Sequence, residues 1–290
     1  MKRLVSILLI VGIITTLALV GLVACKDTRT GYPDGDKYTA GAGTYSAANV
    51  SKLNVAWTAG TANVTFTDEV TDIQITEENN FTDEAYLLHH YLDPQGTLWV
   101  KPLAASVGDD EIPTFTTKIL TIKFPKKALE EVYVENHGAK TYIDGVNASK
   151  LETYNSGYDT AVTNANVGEL KTKGDGTGDT RVSGRVTGKV NMSSGQELSL
   201  YTSAMPTEIT MTGKISATLT IPETDGGFKA TITKSSPFTC GFEPIVESAA
   251  EEETKIVKTY KGGAVAINIT CNQGIIRQTN NIKILKYTAA

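Results

Sequence analysis

Histidine and cysteine are scarce in this chain, three of each in 290 residues. His89 and His90 are adjacent in a strand-like run, so their side chains point to opposite faces and cannot share a metal. His137 lies in another element, and the cysteine spacing fits no zinc pattern. Basic residues are also short: 27 Lys+Arg against 32 Asp+Glu, a net charge of −5 without a clustered basic face. That balance excludes a nucleic-acid partner. Beyond residue 24 no apolar run is long enough for a second membrane span. No cofactor motif and no catalytic set stands out.

What is present begins at the N-terminus. Lys2 and Arg3 precede an uncharged apolar run, Leu4 to Ala24, which ends Leu22-Val23-Ala24-Cys25. Charge, apolar segment and small residue form the signal-peptide layout. The last four residues resemble the lipobox of bacterial lipoproteins, which implies a lipid on the Cys25 thiol, cleavage before it and acylation of the new amino terminus. Two or more acyl chains give stable anchoring where one does not. An uncleaved anchor is the rival reading. Removing residues 1–24, the expected signal peptide, leaves 266 residues with 25 basic and 32 acidic side chains, a net −7. The expected location is the cell envelope, facing the extracytoplasmic side in periplasm or at the surface, with the membrane as partner through the lipid. In an oxidising compartment Cys240 and Cys271 are expected to form a disulfide. It would contribute roughly 3–4 kcal/mol in the chain-entropy model. Two buried free thiols are the alternative.

Residues 25–52 are small, polar and glycine-bearing, and read as a flexible tether. From Leu53 apolar and polar residues alternate, with Val64, Phe66, Ile73 and Ile75 on even steps, the signature of half-buried strands. "AYLLHHYLDPQGTLWVKPL" reads as a hairpin turned by Asp93-Pro94-Gln95-Gly96. Glycines then fall at 138, 157, 176, 195 and 213, at steps of 19, 19, 19 and 18, each preceded by an apolar position: Val132, Leu151, Leu170, Val190, Ile209. One such unit cannot bury its own apolar stripe, but stacked units can. The expected fold is therefore all-β, a single-stranded β-solenoid or β-helix-like stack of coils of about 19 residues. An antiparallel β-sandwich is the competing reading.

The stretch 120–176 resembles the "putative adhesin" or toast-rack family of bacterial β-strand-repeat envelope proteins. Phe124-Pro125, Leu129, Val132, Val134 and the Ser156-Gly157 and Ser194-Gly195 corners carry the likeness, while His137 and Asp175 depart from the corner serine. The resemblance covers roughly residues 53–235. It implies an all-β stacked domain with an adhesive role and brings no catalytic residues. Residues 236–290, with Cys240, the acidic run Glu251-Glu252-Glu253 and three more strands, are expected to form a C-terminal β cap over the open strand edge.

Three constellations invite chemistry. "GDGTGDT" (174–180) is followed by strand-like sequence rather than the helix a phosphate loop needs, leaving a tight corner or a calcium turn on Asp175 and Asp179. Asp159 and Asp179 occupy neighbouring coils and could stack about 5 Å apart, as paired carboxylates of a polysaccharide-active β-helix enzyme do. Lys171, Lys173, Arg181, Arg185 and Lys189 form a basic row, read as edge protection or as contact with anionic envelope polymer. The sequence thus favours a lipid-anchored, non-catalytic envelope protein with a structural or adhesive role, touching envelope polymer or a surface protein. The alternatives are the polysaccharide enzyme and an accessory or sensor subunit of an envelope-stress complex.

Overall fold

The computed structural model describes residues 32–57, 60–108, 114, 117–233, 237–271 and 281–288. The signal peptide and Cys25 therefore lie outside the described residues. The chain divides into two compact units. The smaller takes residues 1–36 and 105–113; within it Gly35 approaches Ala105 so closely that a Cβ would sit 2.2 Å from the alanine methyl. The larger, residues 37–104 and 114–290, is all-β, and among the described residues the only helices are three single 3-10 turns.

Its strands open with β1 (Thr39–Ala40), β2 (Gly43–Ser46), β3 (Lys52–Trp57), β4 (Ala62–Thr67) and β5 (Asp72–Asn79). They continue with β6 (His89–Leu92), β7 (Thr97–Lys101), β8 (Lys118–Pro125), β9 (Leu129–Asn136), β10 (Thr141–Asp144) and β11 (Asn147–Ser156). Next come β12 (Thr160–Asp175), β13 (Thr180–Val186), β14 (Lys189–Ser193), β15 (Glu197–Thr202), β16 (Glu208–Gly213) and β17 (Ser216–Ile221). The tail holds β18 (Phe228–Thr233), β19 (Phe238–Cys240), β20 (Ile245–Ala249), β21 (Lys255–Tyr260), β22 (Val265–Cys271) and β23 (Asn281–Lys286).

Successive strands alternate between two parallel ladders. The first runs β7, β3, β9, β11, the second half of β12, β14, β16, β22, β18. The second runs β8, β4, β10, the first half of β12, β13, β15, β17, β23, β19. The five apolar positions that precede the periodic glycines pair in register: Val132 with Leu151, Leu151 with Leu170, Leu170 with Val190, Val190 with Ile209. On the second ladder Ile143, Val162, Val182, Leu200 and Leu219 do the same. Strand alternation sends every second side chain inward, and the inward rows of both ladders merge into one buried cluster. Removing a Val, Leu or Ile side chain from water contributes about 1.5–3 kcal/mol, so these rows are the main cohesive force.

The corners explain the glycine period. Gly157 and Gly176 have φ of +87° and +72°, where a Cβ is strained. A Cβ on Gly195 would lie 2.1 Å from the Gly176 carbonyl oxygen, so the chain comes too close at this corner for any side chain. Inside the same corners Asn136 and Asn155 are buried, and their amides donate to the carbonyls of Ala139 and of Lys140 or Asp159.

Two expectations give way here. Residues 39–46, read as tether, form β1 and β2, which pair antiparallel with β6 and β5. They close the N-terminal ends of the ladders, and their hydrogen bonds run through the backbone, which polar sequence supplies as well as apolar sequence. And only part of 236–290 is the expected terminal cap. β22 and β23 insert between β16–β17 and β18–β19, so the last strands of the chain lie inside both ladders. Within that segment the cap is β21 and β20, antiparallel beyond β18. At the other end β3–β4 likewise sits inside β7–β8.

Candidate binding surface

Cys240 ends β19 and Cys271 ends β22, and both are free thiols, which corrects the expected disulfide. They belong to different ladders: Cys240 pairs with Ile284 on the second, Cys271 with Gly213 on the first. Burial pushes both thiols up, Cys271 to about 11, so neither is a ready nucleophile.

His89 and His90 are buried in β6. His89 Nδ1 donates to the Leu87 carbonyl at 3.0 Å, and His90 Nδ1 lies 2.6 Å from the Tyr45 hydroxyl. Burial holds both imidazoles below their ordinary value. His137 is exposed, with Nε2 2.6 Å from Glu135 Oε1 and its ring edge-on to Tyr154. Among the described residues no three His, Cys, Asp or Glu side chains converge on a metal position.

The Asp159–Asp179 pair is already employed. Asp159 Oδ1 accepts the backbone N–H of Asp179 at 3.1 Å, and Asp179 Oδ1 accepts that of Glu197, also at 3.1 Å. Each carboxylate thus ties its corner to the next. The second oxygens pair with cations, Lys140 on Asp159 at 3.4 Å and Arg181 on Asp179 at 2.8 Å. The Asp179 amide, followed by Lys140 and Arg181, holds the Asp159 carboxyl below its usual range. A glycosidase acid needs the opposite shift. Asp175, the other proposed calcium ligand, accepts from the Tyr154 hydroxyl at 2.8 Å.

Nor does the basic row form one patch. Lys171 bonds Glu152 at 2.5 Å, Lys173 lies over the Tyr154 ring, and Lys189 faces Glu208 at 3.6 Å, all on the first ladder. Arg181 and Arg185 stand on the second ladder, Arg185 reaching Asn166 at 3.3 Å.

A groove that the sequence reading passed over lies along the outward side of β3. Register sets Asn54 between Trp99 of β7 and Tyr133 of β9, small side chain between two large ones. Lys52, Leu53, Thr97 and Glu131 complete a cavity of about 260 Å³. Both rings are tied at their polar tips. Trp99 Nε1 donates to Asp93 Oδ2 at 2.9 Å, and the Tyr133 hydroxyl donates to Glu135 Oε2 at 2.9 Å. Asp93 is in turn fixed by the expected hairpin turn, accepting from the amides of Gln95 and Thr97 at 2.9 and 2.8 Å. Burial and then the Glu135 hydrogen bond push the Tyr133 phenol up, so it stays a donor. Burial alone would raise the Glu135 carboxyl, but bonds from His137 and Tyr133 bring it down. Small residues flanked by aromatics on the two neighbouring strands were the available signal, but only once the pairing of β3 with both β7 and β9 is known.

No family model matches the chain, and no curated protein does. Among solved structures it is similar to a putative cell adhesion protein from Clostridium sporogenes, at 13% identity over 87% of this chain and 100% of that one, with a TM-score of 0.38. A putative adhesin from Bacteroides fragilis is similar at 13% identity over 86% of this chain and 97% of that one, with a TM-score of 0.33.

Proposed function

We propose that this chain is a lipid-anchored, non-catalytic protein of the bacterial envelope, a β-solenoid whose outward surface makes adhesive or structural contacts. The fate of Asp159 and Asp179 carries the reading: the best acid pair in the sequence ties corner to corner by backbone hydrogen bonds and ion pairs, leaving neither oxygen for a general acid. The parallel pairing at near-19-residue offset supports the coil, and the Leu22-Val23-Ala24-Cys25 stretch supports the anchor. The groove on β3 offers one place where a partner can be gripped.

The test has two arms. Full-length protein expressed with labelled palmitate is expected to carry label and sediment with membranes, and Cys25→Ser to lose the label. Beads coated with the detergent-purified chain are expected to adhere to cell surfaces or isolated envelope, while polysaccharides incubated with it stay uncleaved. Release of reducing ends that Asp159→Asn abolishes would establish the enzyme instead. An unlabelled, freely soluble wild-type protein would remove the anchor.

A further inference from the structure

We propose that the groove on β3 is a glycan-binding site taking a single saturated ring of a neutral sugar between Trp99 and Tyr133. The inference deepens the adhesive reading and rests on it only for where such a glycan would be met.

The dimensions come from the ladder. Trp99 and Tyr133 stand two strands apart, roughly 9–10 Å at ordinary strand spacing. With aromatic faces in van der Waals contact at about 3.5–4.0 Å on each side, that gap admits one ring and not two. A cavity of about 260 Å³ lies just below the roughly 300–1,000 Å³ of drug-sized sites, which again suits one ring-sized group. Both aromatics are tied by their polar tips to Asp93 and Glu135, so little freedom is lost on binding.

Polarity selects the ligand class. Asn54, on the floor between the rings, makes no side-chain hydrogen bond within the described residues and offers two donors and an acceptor. A purely apolar ligand would strip water from that amide without replacing it. Charges of both signs flank each mouth of the groove, Lys52 with Glu131 at one end and Lys101 with Glu135 at the other, so neither a cation nor an anion is favoured. A body with apolar C–H faces and a rim of neutral hydroxyls answers all three conditions, and that is a pyranose.

Trp99 is also the reporter, because Trp57, the second of two tryptophans, is fully buried. The detergent-purified chain is titrated with cellohexaose, the hexamer of N-acetylglucosamine and mannohexaose, then with oligogalacturonate, the glucosamine hexamer and the non-fluorescent N-acetylleucinamide. At least one neutral oligosaccharide is expected to shift Trp99 emission saturably. Tyr133→Ala and Asn54→Ala should each weaken it by about tenfold, Tyr133→Phe by much less, and Ser199→Ala on the second ladder not at all. Asn54 is a surface residue, so its variant carries the test should Tyr133→Ala fail to fold by circular dichroism. Saturable binding of only the charged oligomers or the leucine amide, neutral-sugar binding that survives Asn54→Ala, or no binding at all would overturn the proposal. Bead adherence unchanged in Tyr133→Ala would overturn the groove as its cause and leave adhesion standing; sugar binding without adherence would do the reverse.

Discussion

Along the first ladder the inward row hardly changes while the outward face loses most of its charge. From β9 to β12 the outward residues are charged and interlocked. Lys150 bridges Glu131 at 2.7 Å and Glu152 at 3.2 Å, and Lys171 reaches Glu152 from the next strand. From β14 through β16, β22 and β18 one row still carries charge, Lys189, Glu208, Ala266 and Lys229, and the rows beyond it are neutral: Asn191 and Ser193, then Thr210 and Thr212, Asn268 and Thr270, Thr231 and Thr233. Beneath both halves lie the same aliphatics, Leu151 and Leu170 in one, Val190 and Ile209 in the other. Stacking is therefore set from inside and at the corners, and outward chemistry is free to vary. Charged rows add pairings that a slipped register would break, whereas neutral rows add none.

The N-terminal region differs inside as well. Lys118 and Glu77 form an ion pair at 2.7 Å, their side chains 0% and 7% exposed. Lys118 also donates to the Tyr86 carbonyl and lies 5.4 Å from the Trp57 ring centre, while the other Glu77 oxygen accepts the Leu88 amide. Burial holds the ammonium below its ordinary value, opposed by Glu77. Removing one partner strands the other charge, so Lys118→Met should lose about 3–5 kcal/mol in denaturant unfolding. Lys118→Met with Glu77→Leu should recover most of it, because apolar replacement of a buried pair is often neutral. A double variant as unstable as the single one would show that the pair itself, rather than its balance, holds this end.

At the boundary between the halves stands Gly195. Alanine there would put its Cβ 2.1 Å from the Gly176 carbonyl oxygen, a backbone atom, and should cost about 1–3 kcal/mol in overpacking. Gly157, in the same column, has nothing within 4 Å of its would-be Cβ and only its φ of +87° to strain. Gly157→Ala should cost about 1–2 kcal/mol, the left-handed penalty alone. Equal thermal unfolding midpoints for the two would mean that the close approach at Gly195 relaxes without loss.

These glycines also mark what was legible. Repetition made the period, the apolar partner and the parallel offset readable, because each unit states the same constraint. The hairpin at Asp93–Gly96 was readable from local turn chemistry, and it formed as expected. Placement of β22–β23 inside the ladders was not: Ile209 pairs with Ile267 across 58 residues, and no local pattern encodes a partner so distant. The groove was hidden for the same reason. Trp99 and Tyr133 become neighbours only because β3, earlier in the chain than both, lies between them. Asp159 and Asp179 precede the paired Thr160 and Thr180, but sequence could not show that the next backbone amide takes the carboxylate.

The mildest test goes to the outward rows themselves. Glu152→Gln removes the negative charge shared by Lys150 and Lys171, and should lose less than about 1 kcal/mol, a loss that fades as salt is raised. Burial alone would raise the Glu152 carboxyl, but the two lysines bring it below its ordinary value. Its contribution is accordingly present above the unfolded-state value and disappears as pH falls through the lower folded value, so wild type and variant should converge in acid. Thr210→Val in the neutral half removes a hydroxyl that bonds nothing among the described residues, and should change stability by no more than about 0.5 kcal/mol at any salt or pH. The contrast lies in the slopes. If Glu152→Gln tracks Thr210→Val across salt and pH, the ion-paired rows hold no register, and inward packing with the corners accounts for the whole stack.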